Sequence, residues 1–215
     1  MQNKPVVDLM IIGAQKCAST SLFDLLKGHP QLSPCKTKEP QFFSHEADWK
    51  SKIDSYEKLF SKKPNQISFE ASTSYAASPF HNQNVWQQIH EYNPNTKIIY
   101  IVRNPIKRII SGHRFLYRRG FIKQRNINNY LKKSNYHIQL SKYHFQIKPY
   151  IETFGKKNVL ILFFEDFVVN IDLIKKEVSN FLLINENDFS TEQTPKSNTK
   201  ERRLDRRVGI NKFEN

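Results

Sequence analysis

Two short stretches of this 215-residue chain carry residue types and spacings that could do chemistry. The first is Gly13-Ala14-Gln15-Lys16-Cys17-Ala18-Ser19-Thr20-Ser21. Its small residues let an anion approach the backbone, the hydroxyls of Ser19, Thr20 and Ser21 add donors, and Lys16 supplies a positive charge on a flexible stem. A helix starting there would add free N–H groups and the positive end of its dipole. Such a loop suits an anionic ester. The same residues also suit an ordinary strand-to-helix turn with Ser19 or Thr20 as N-cap, and the loop alone leaves both readings open.

The loop is not that of the nucleoside triphosphatases, G-x-x-x-x-G-K-[ST]. Counted from Gly13, its second glycine and its lysine would fall on Ala18 and Ser19, and Lys16 comes too early. No acid stands obviously at a strand end to hold magnesium. The second stretch is Arg103-Asn104-Pro105-Ile106-Lys107-Arg108-Ile109-Ile110-Ser111. A guanidinium forks onto a phosphate and a serine hydroxyl can donate to the same group. Ser111 follows Arg103 by eight residues, about two helical turns. Read singly, Arg103 could cap a loop and Ser111 could be a small helix residue.

Both stretches follow short apolar runs. Residues 6–12 read as a buried strand between Pro5 and Gly13, and the helical face of 20–27 stops at Gly28-His29-Pro30. Residues 67–70 read as a strand, and 79–92 as a helix with Pro79 in its first turn. The clearest strand is Lys-Ile-Ile-Tyr-Ile-Val at 97–102, and Pro105 opens the helix after it. Residues 126–134 and 136–154 read as helical, with Pro149 as a kink or break. A strand over 159–164, a helix over 172–183 and a polar, basic tail complete the chain. Alternating strands and helices imply an α/β fold, a single domain over 1–215 with a central parallel sheet flanked by helices. Ligands of such sheets bind at the carboxyl ends of the strands, where both stretches fall.

Composition narrows the class. Thirty-four Lys and Arg against 20 Asp and Glu give a net charge of +14. From Tyr92 to Ile151 there are 13 basic residues and no acid, and from Lys196 to Lys212 seven basic residues against Glu201 and Asp205. Such tracts point to an anionic ligand, a nucleic acid or an anionic surface, with plain solubility as the alternative. The longest apolar run, 159–164, is six residues, far short of the roughly 18 of a transmembrane helix. The N-terminus lacks a signal-peptide pattern. Cys17 and Cys35 can form neither a disulfide framework nor a four-ligand zinc site, which points to a reducing compartment; the expectation is a cytoplasmic protein without a metal site.

Taken together, these segments resemble the sulfotransferases that use 3′-phosphoadenosine 5′-phosphosulfate (PAPS), in particular bacterial members similar to the heparan sulfate group. GAQKCASTSL is similar to their 5′-phosphosulfate loop and RNPIKRIISGH to their 3′-phosphate motif. KEPQFF, residues 38–43, is similar to the segment carrying the catalytic glutamate of the glycan enzymes, and FEASTSY, 69–75, to a later segment of the same group. YHFQIKPYIETFG followed by a strand ending FFEDF matches the bacterial members, so that the resemblance covers residues 6 to about 205.

The resemblance implies a P-loop-kinase-like fold and sulfuryl transfer from PAPS to a hydroxyl or amine of a carbohydrate or small metabolite. It implies that Lys16, Ala18, Ser19, Thr20 and Ser21 hold the 5′-phosphosulfate, and that Arg103 and Ser111 hold the 3′-phosphate. Lys200, Arg202 and Arg203, in the basic tail at about 190–212, would close over the nucleotide. Glu39 would be the base, and Lys16 would stabilise the leaving phosphate. Pro40 is expected to hold Glu39 extended and aimed at the cofactor.

Without the resemblance, Glu39 reads as a surface carboxylate paired with Lys36 or Lys38. His45 is a second candidate base, with an exposed or core histidine as its plainer reading. Glu165 and Asp166 read as structural, capping the turn that follows. Phe42, Phe43, Tyr75 and Tyr143 could line an acceptor pocket, although aromatics are more often core.

The chain departs from the family where glycine and threonine usually stand at 18 and 19; alanine at 18 is tolerable only if its φ stays negative. Ala71 replaces a lysine of several glycan enzymes. The chain also stops soon after the basic tail, as a compact or a shortened member would. Two other classes remain: a basic nucleic-acid-binding protein, disfavoured because no aromatic-basic module or zinc finger is present, and a nucleotide kinase or ATPase, disfavoured by the missing GK[ST]. No specific nucleic-acid partner is expected.

Overall fold

Leu9–Gly13 is buried at every residue, as a strand covered on both faces requires. This strand, β1, is the centre of the computed structural model, which describes residues 5–61 and 63–189. Four more strands join it: β2 (Leu32–Pro34), β3 (Ile67–Ala71), β4 (Lys97–Val102) and β5 (Val159–Phe163). The order across the sheet is β2-β3-β1-β4-β5 and every pairing is parallel. After β1 the chain leaves toward one edge to make β2; after β4 it leaves toward the other to make β5. A crevice therefore opens between the carboxyl ends of β1 and β4, the switch point where parallel sheets bind ligands.

Ten helices cover the sheet: α1 (Ser19–Leu26), α2 (Phe42–His45), α3 (Trp49–Glu57), α4 (Val85–Tyr92), α5 (Pro105–Arg118), α6 (Ile127–Leu131), α7 (Tyr136–Leu140), α8 (Tyr143–Phe154), α9 (Phe164–Val169) and α10 (Ile171–Leu182), counted among the described residues. The core runs along both faces of β1 and β4, with Leu9 to Ile12 and Ile98 to Ile101 fully buried. Gly13 closes β1 beside Tyr100: a Cβ there would lie 2.8 Å from the tyrosine ring. No helix among the described residues is long and apolar enough to cross a membrane.

The expected strands over 67–70, 97–102 and 159–164, and the helix opened by Pro105, form within a residue or two of their expected limits. Other expectations differ: the first strand, expected over 6–12, spans Leu9–Gly13. The helix expected over 79–92 begins only at Val85. Asn82 holds the preceding residues in a loop, accepting from the Asn84 N–H at 2.9 Å and donating to the Phe43 carbonyl at 3.0 Å. Pro149 does not break its helix: it sits inside α8. The break falls instead between α7 and α8, where Arg108 donates to the Ser141 hydroxyl at 2.6 Å and to the His137 carbonyl at 2.5 Å. That buried arginine takes up the His137 carbonyl in the first turn of α7. Glu165 and Asp166 lie in the first turn of α9, and Glu165 accepts from the Asn104 N–H at 3.0 Å, tying down the loop after β4 rather than its own.

Candidate active site

The loop from β1 into α1 turns through two left-handed residues, Lys16 at φ 69° and Ala18 at φ 71°. A negative φ was expected for Ala18; the observed value is the correction. A left-handed alanine costs about 1–2 kcal/mol, and left-handed residues in such a loop help turn successive N–H groups toward one concavity. Ala18, not Ser19 or Thr20, is the N-cap of α1, and no side chain caps the helix. Ser19, Thr20 and Ser21 occupy its first turn.

Arg103 leaves β4 beside this loop. Its Nη1 donates to the Lys16 carbonyl at 3.3 Å, its guanidinium lies 4.0 Å from the centre of the Phe164 ring, and its buried Nε has no hydrogen-bond partner. The Lys16 ammonium lies 4.6 Å over the Phe115 ring of α5. Both cations thus rest on aromatic faces, which fix them without neutralising their charge.

A cavity of about 320 Å³ opens at this place. Lys16, Ala18, Ser19, Thr20 and Ser21 line one side; Arg103 and Ser111 line another, with Phe115 and Phe164. Glu39 reaches the same cavity from the segment before α2, and Gln15 and Thr73 complete it. The described residues expected to hold the nucleotide, together with Glu39, therefore surround one space. Lys200, Arg202 and Arg203 lie outside the described residues.

Glu39 is not extended. Its φ is 58°, left-handed, against the extended conformation that the following Pro40 favours, and such a conformation is held by its surroundings. Its Oε1 lies 2.6 Å from the Lys38 ammonium, and its side chain is 34% exposed. The surface pair read from sequence and the position on the cavity wall are therefore both present. A smaller cavity, about 100 Å³, adjoins the first: it shares Gln15, Glu39 and Thr73, and adds Gln41, Ser74, His81 and Tyr136. Its lining is mostly carboxamide, hydroxyl and imidazole, donors and acceptors suited to a hydroxylated ligand.

Several expectations fall elsewhere. Phe42, Phe43 and Tyr75 are buried in the core rather than lining an acceptor pocket: Phe42 stacks on Tyr56 at 4.5 Å, and Tyr75 donates to Glu70 at 2.7 Å. The half-buried Tyr143 has its hydroxyl 3.8 Å from the Cys17 sulfur. His45 lines neither cavity; its Nδ1 is bound to Ser44 at 2.9 Å, whereas His81, 5.1 Å from it ring to ring, does line the smaller one. Burial pushes the Cys17 thiol up to about 11, so it is protonated at neutral pH and no nucleophile. Gln15 and Thr73 lay within the motifs read from sequence; His81 and Tyr136 carried no signal there, because only the loop before α4 and the start of α7 bring them to the site. Among the described residues no cluster of three or more His, Cys, Asp or Glu could hold a metal ion.

Over 121 residues, 53% of this chain, the sequence is 34% identical to a bifunctional heparan sulfate N-deacetylase/N-sulfotransferase 1 of Caenorhabditis briggsae, covering 13% of that protein. Over 105 residues, 48% of this chain, it is 32% identical to the mouse heparan sulfate glucosamine 3-O-sulfotransferase 6, covering 29% of that protein. The chain thus matches less than a third of the length of these relatives. In structure it is similar to a sulfotransferase from Alicyclobacillus acidocaldarius, with a TM-score of 0.74 and 24% identity over 92% of this chain and 90% of that one. It is also similar to mouse sulfotransferase SULT7A1, solved with PAP, with a TM-score of 0.59 and 17% identity over 85% of this chain and 61% of that one. Residues 7–211 match the family model of the sulfotransferase domain, and the chain belongs to that family.

Proposed function

We propose that this chain transfers a sulfuryl group from PAPS to an acceptor hydroxyl or amine, with a carbohydrate or small polar metabolite as acceptor. The observation that carries the reading is the meeting of Lys16, Arg103 and Glu39 on one cavity at the β1/β4 switch point. The residues present fit the nucleotide. The first turn of α1, which no side chain caps, lines the cavity with Ser19, Thr20 and Ser21, and Arg103 keeps a buried Nε without a partner. Lys16, Ala18, Ser19, Thr20 and Ser21 would hold the 5′-phosphosulfate, and Arg103 and Ser111 the 3′-phosphate; Lys200, Arg202 and Arg203 would cover the nucleotide.

When bound, PAPS supplies the sulfuryl group and a phosphate leaving group. The protein's work is to align donor and acceptor and to answer charge. Lys16, on the cavity wall, would answer the negative charge that develops on the leaving phosphate. Glu39, between the two cavities, takes the proton from the attacking hydroxyl. The polar lining of the smaller cavity supports a hydroxylated acceptor there. The carbohydrate acceptor is also supported by the heparan sulfate enzymes among the relatives.

Calorimetric titration with PAP, the desulfated product, tests the nucleotide site, with ATP and AMP as controls. PAP should bind much more tightly than either control, and Arg103→Ala should weaken it at least about tenfold, the worth of a charge-assisted hydrogen bond. No preference for PAP, or an unchanged affinity in Arg103→Ala, overturns the reading.

A further inference from the structure

Glu70 is fully buried, and among the described residues three hydroxyls answer its carboxylate rather than a cation. Tyr56 donates to Oε1 at 2.5 Å, Tyr75 to Oε1 at 2.7 Å and Ser72 to Oε2 at 2.5 Å. Burial raises its carboxyl above the ordinary range, and the three hydroxyls pull it back. A buried carboxylate is costly. Apolar side chains could fill a sheet core at less cost, so the network calls for another explanation.

Two of those hydroxyls are shared with the segment that follows Glu39. The Ser72 Oγ that donates to Glu70 accepts the Gln41 N–H at 3.0 Å. The Tyr75 hydroxyl accepts the Phe43 N–H at 3.4 Å. A third link, Ser44 to Ser74 at 2.7 Å, runs parallel. The segment so held is strained: Glu39 stands at φ 58° and Gln41 at φ 55°. Left-handed non-glycine residues persist only where their surroundings over-determine them. Glu70 fixes which way the Ser72 and Tyr75 hydroxyls point, and so keeps both oxygens as acceptors toward the strained backbone.

We propose that Glu70 is the positioning residue of the proposed base, holding the 39–43 backbone through Ser72 and Tyr75 so that Glu39 faces the nucleotide cavity. The inference rests on the reading of Glu39 as base. It assigns Glu70 no contact with substrate: it acts only through the two relays.

The test uses the full chain with PAP bound, comparing wild type with Glu70→Gln, Ser72→Ala and Glu39→Gln. Glu70→Gln keeps the side-chain shape and an acceptor oxygen, so the fold survives more readily than in an alanine variant. Amide hydrogen exchange should quicken at least about tenfold in peptides covering 39–43 in Glu70→Gln and Ser72→Ala, while β1 keeps its protection and PAP affinity stays within about twofold. Turnover of PAPS, with desulfated heparan sulfate as the acceptor probe, should fall at least about tenfold in kcat with an unchanged KM for PAPS. Unchanged exchange at 39–43, or protection lost equally across the sheet, overturns the positioning role. Full turnover by Glu39→Gln overturns the base reading instead, and the exchange data, which need no acceptor, still decide whether Glu70 holds the segment.

Discussion

The Arg103 guanidinium reaches across from the end of β4 and donates to the Lys16 carbonyl at 3.3 Å. One hydrogen bond thus joins the two loops that line the cavity, and the residue proposed to meet the 3′-phosphate also braces the loop proposed to meet the 5′-phosphosulfate. Lysine keeps the charge but not the fork that can serve the Lys16 carbonyl and a phosphate together. Arg103→Lys should lower PAP affinity at least about tenfold by calorimetry. Affinity within about twofold of wild type would show that charge alone suffices there.

Ala18 occupies a left-handed position at the N-cap of α1. Glycine takes that conformation without a Cβ penalty and is accepted at N-caps. Ala18→Gly should therefore raise unfolding stability by about 0.5–1 kcal/mol, the left-handed penalty less the added chain entropy of glycine. Urea unfolding measures it; a fall in the midpoint would mean that the methyl group's packing outweighs the strain.

His137 should make the protein acid-sensitive. It is fully buried, and neither ring nitrogen has a hydrogen-bond partner. Burial first, then the neighbouring charges of Arg108 and His113, hold its pKa down at about 4, against 6.5 when exposed. The neutral ring's contribution is complete above about pH 6.5 and is lost progressively as the pH falls toward 4, because the unfolded chain then binds the proton more readily. The loss is on the order of 3 kcal/mol. Urea unfolding at several pH values between 7 and 4 should show a steeper decline in wild type than in His137→Leu. Parallel curves would remove His137 as the cause.

Both thiols are buried, and burial pushes each up to about 11. The thiolate is the reactive form. An aromatic disulfide reagent at pH 8 should therefore titrate almost no thiol in the native protein and both after denaturation. Rapid native labelling of Cys17, in the nucleotide loop, would mean that the loop opens readily.

Much of this was legible in the order of residues. The runs at 9–13 and 98–102 are apolar on consecutive positions, as strands covered on both faces allow, and each ends where a loop with chemistry begins; the equally apolar run at 159–163 forms instead an edge strand with Ile161 and Phe163 exposed, which its sequence did not show. Lys16 and Arg103 announced themselves by type and by place after a strand. Backbone conformation at the site did not. Ala18 and Glu39 are local exceptions to their own preferences, and such exceptions arise from the surroundings. The break before Lys142, rather than at Pro149, likewise depends on Arg108, 33 residues before Ser141.

The sequence by itself determined the alternation of elements, the parallel sheet and the two anion-loop stretches, because hydrophobic period and turn chemistry are local properties. The tertiary structure decided the rest. It set β1 beside β4, so that stretches 90 positions apart in the chain share one cavity. It sent Phe42, Phe43 and Tyr75 into the core and brought His81 and Tyr136 to the site instead. It buried Glu70 within electrostatic reach of Glu39. Which side chains meet across a crevice depends on strand order and on the packing of distant segments, and no window of neighbouring residues encodes either.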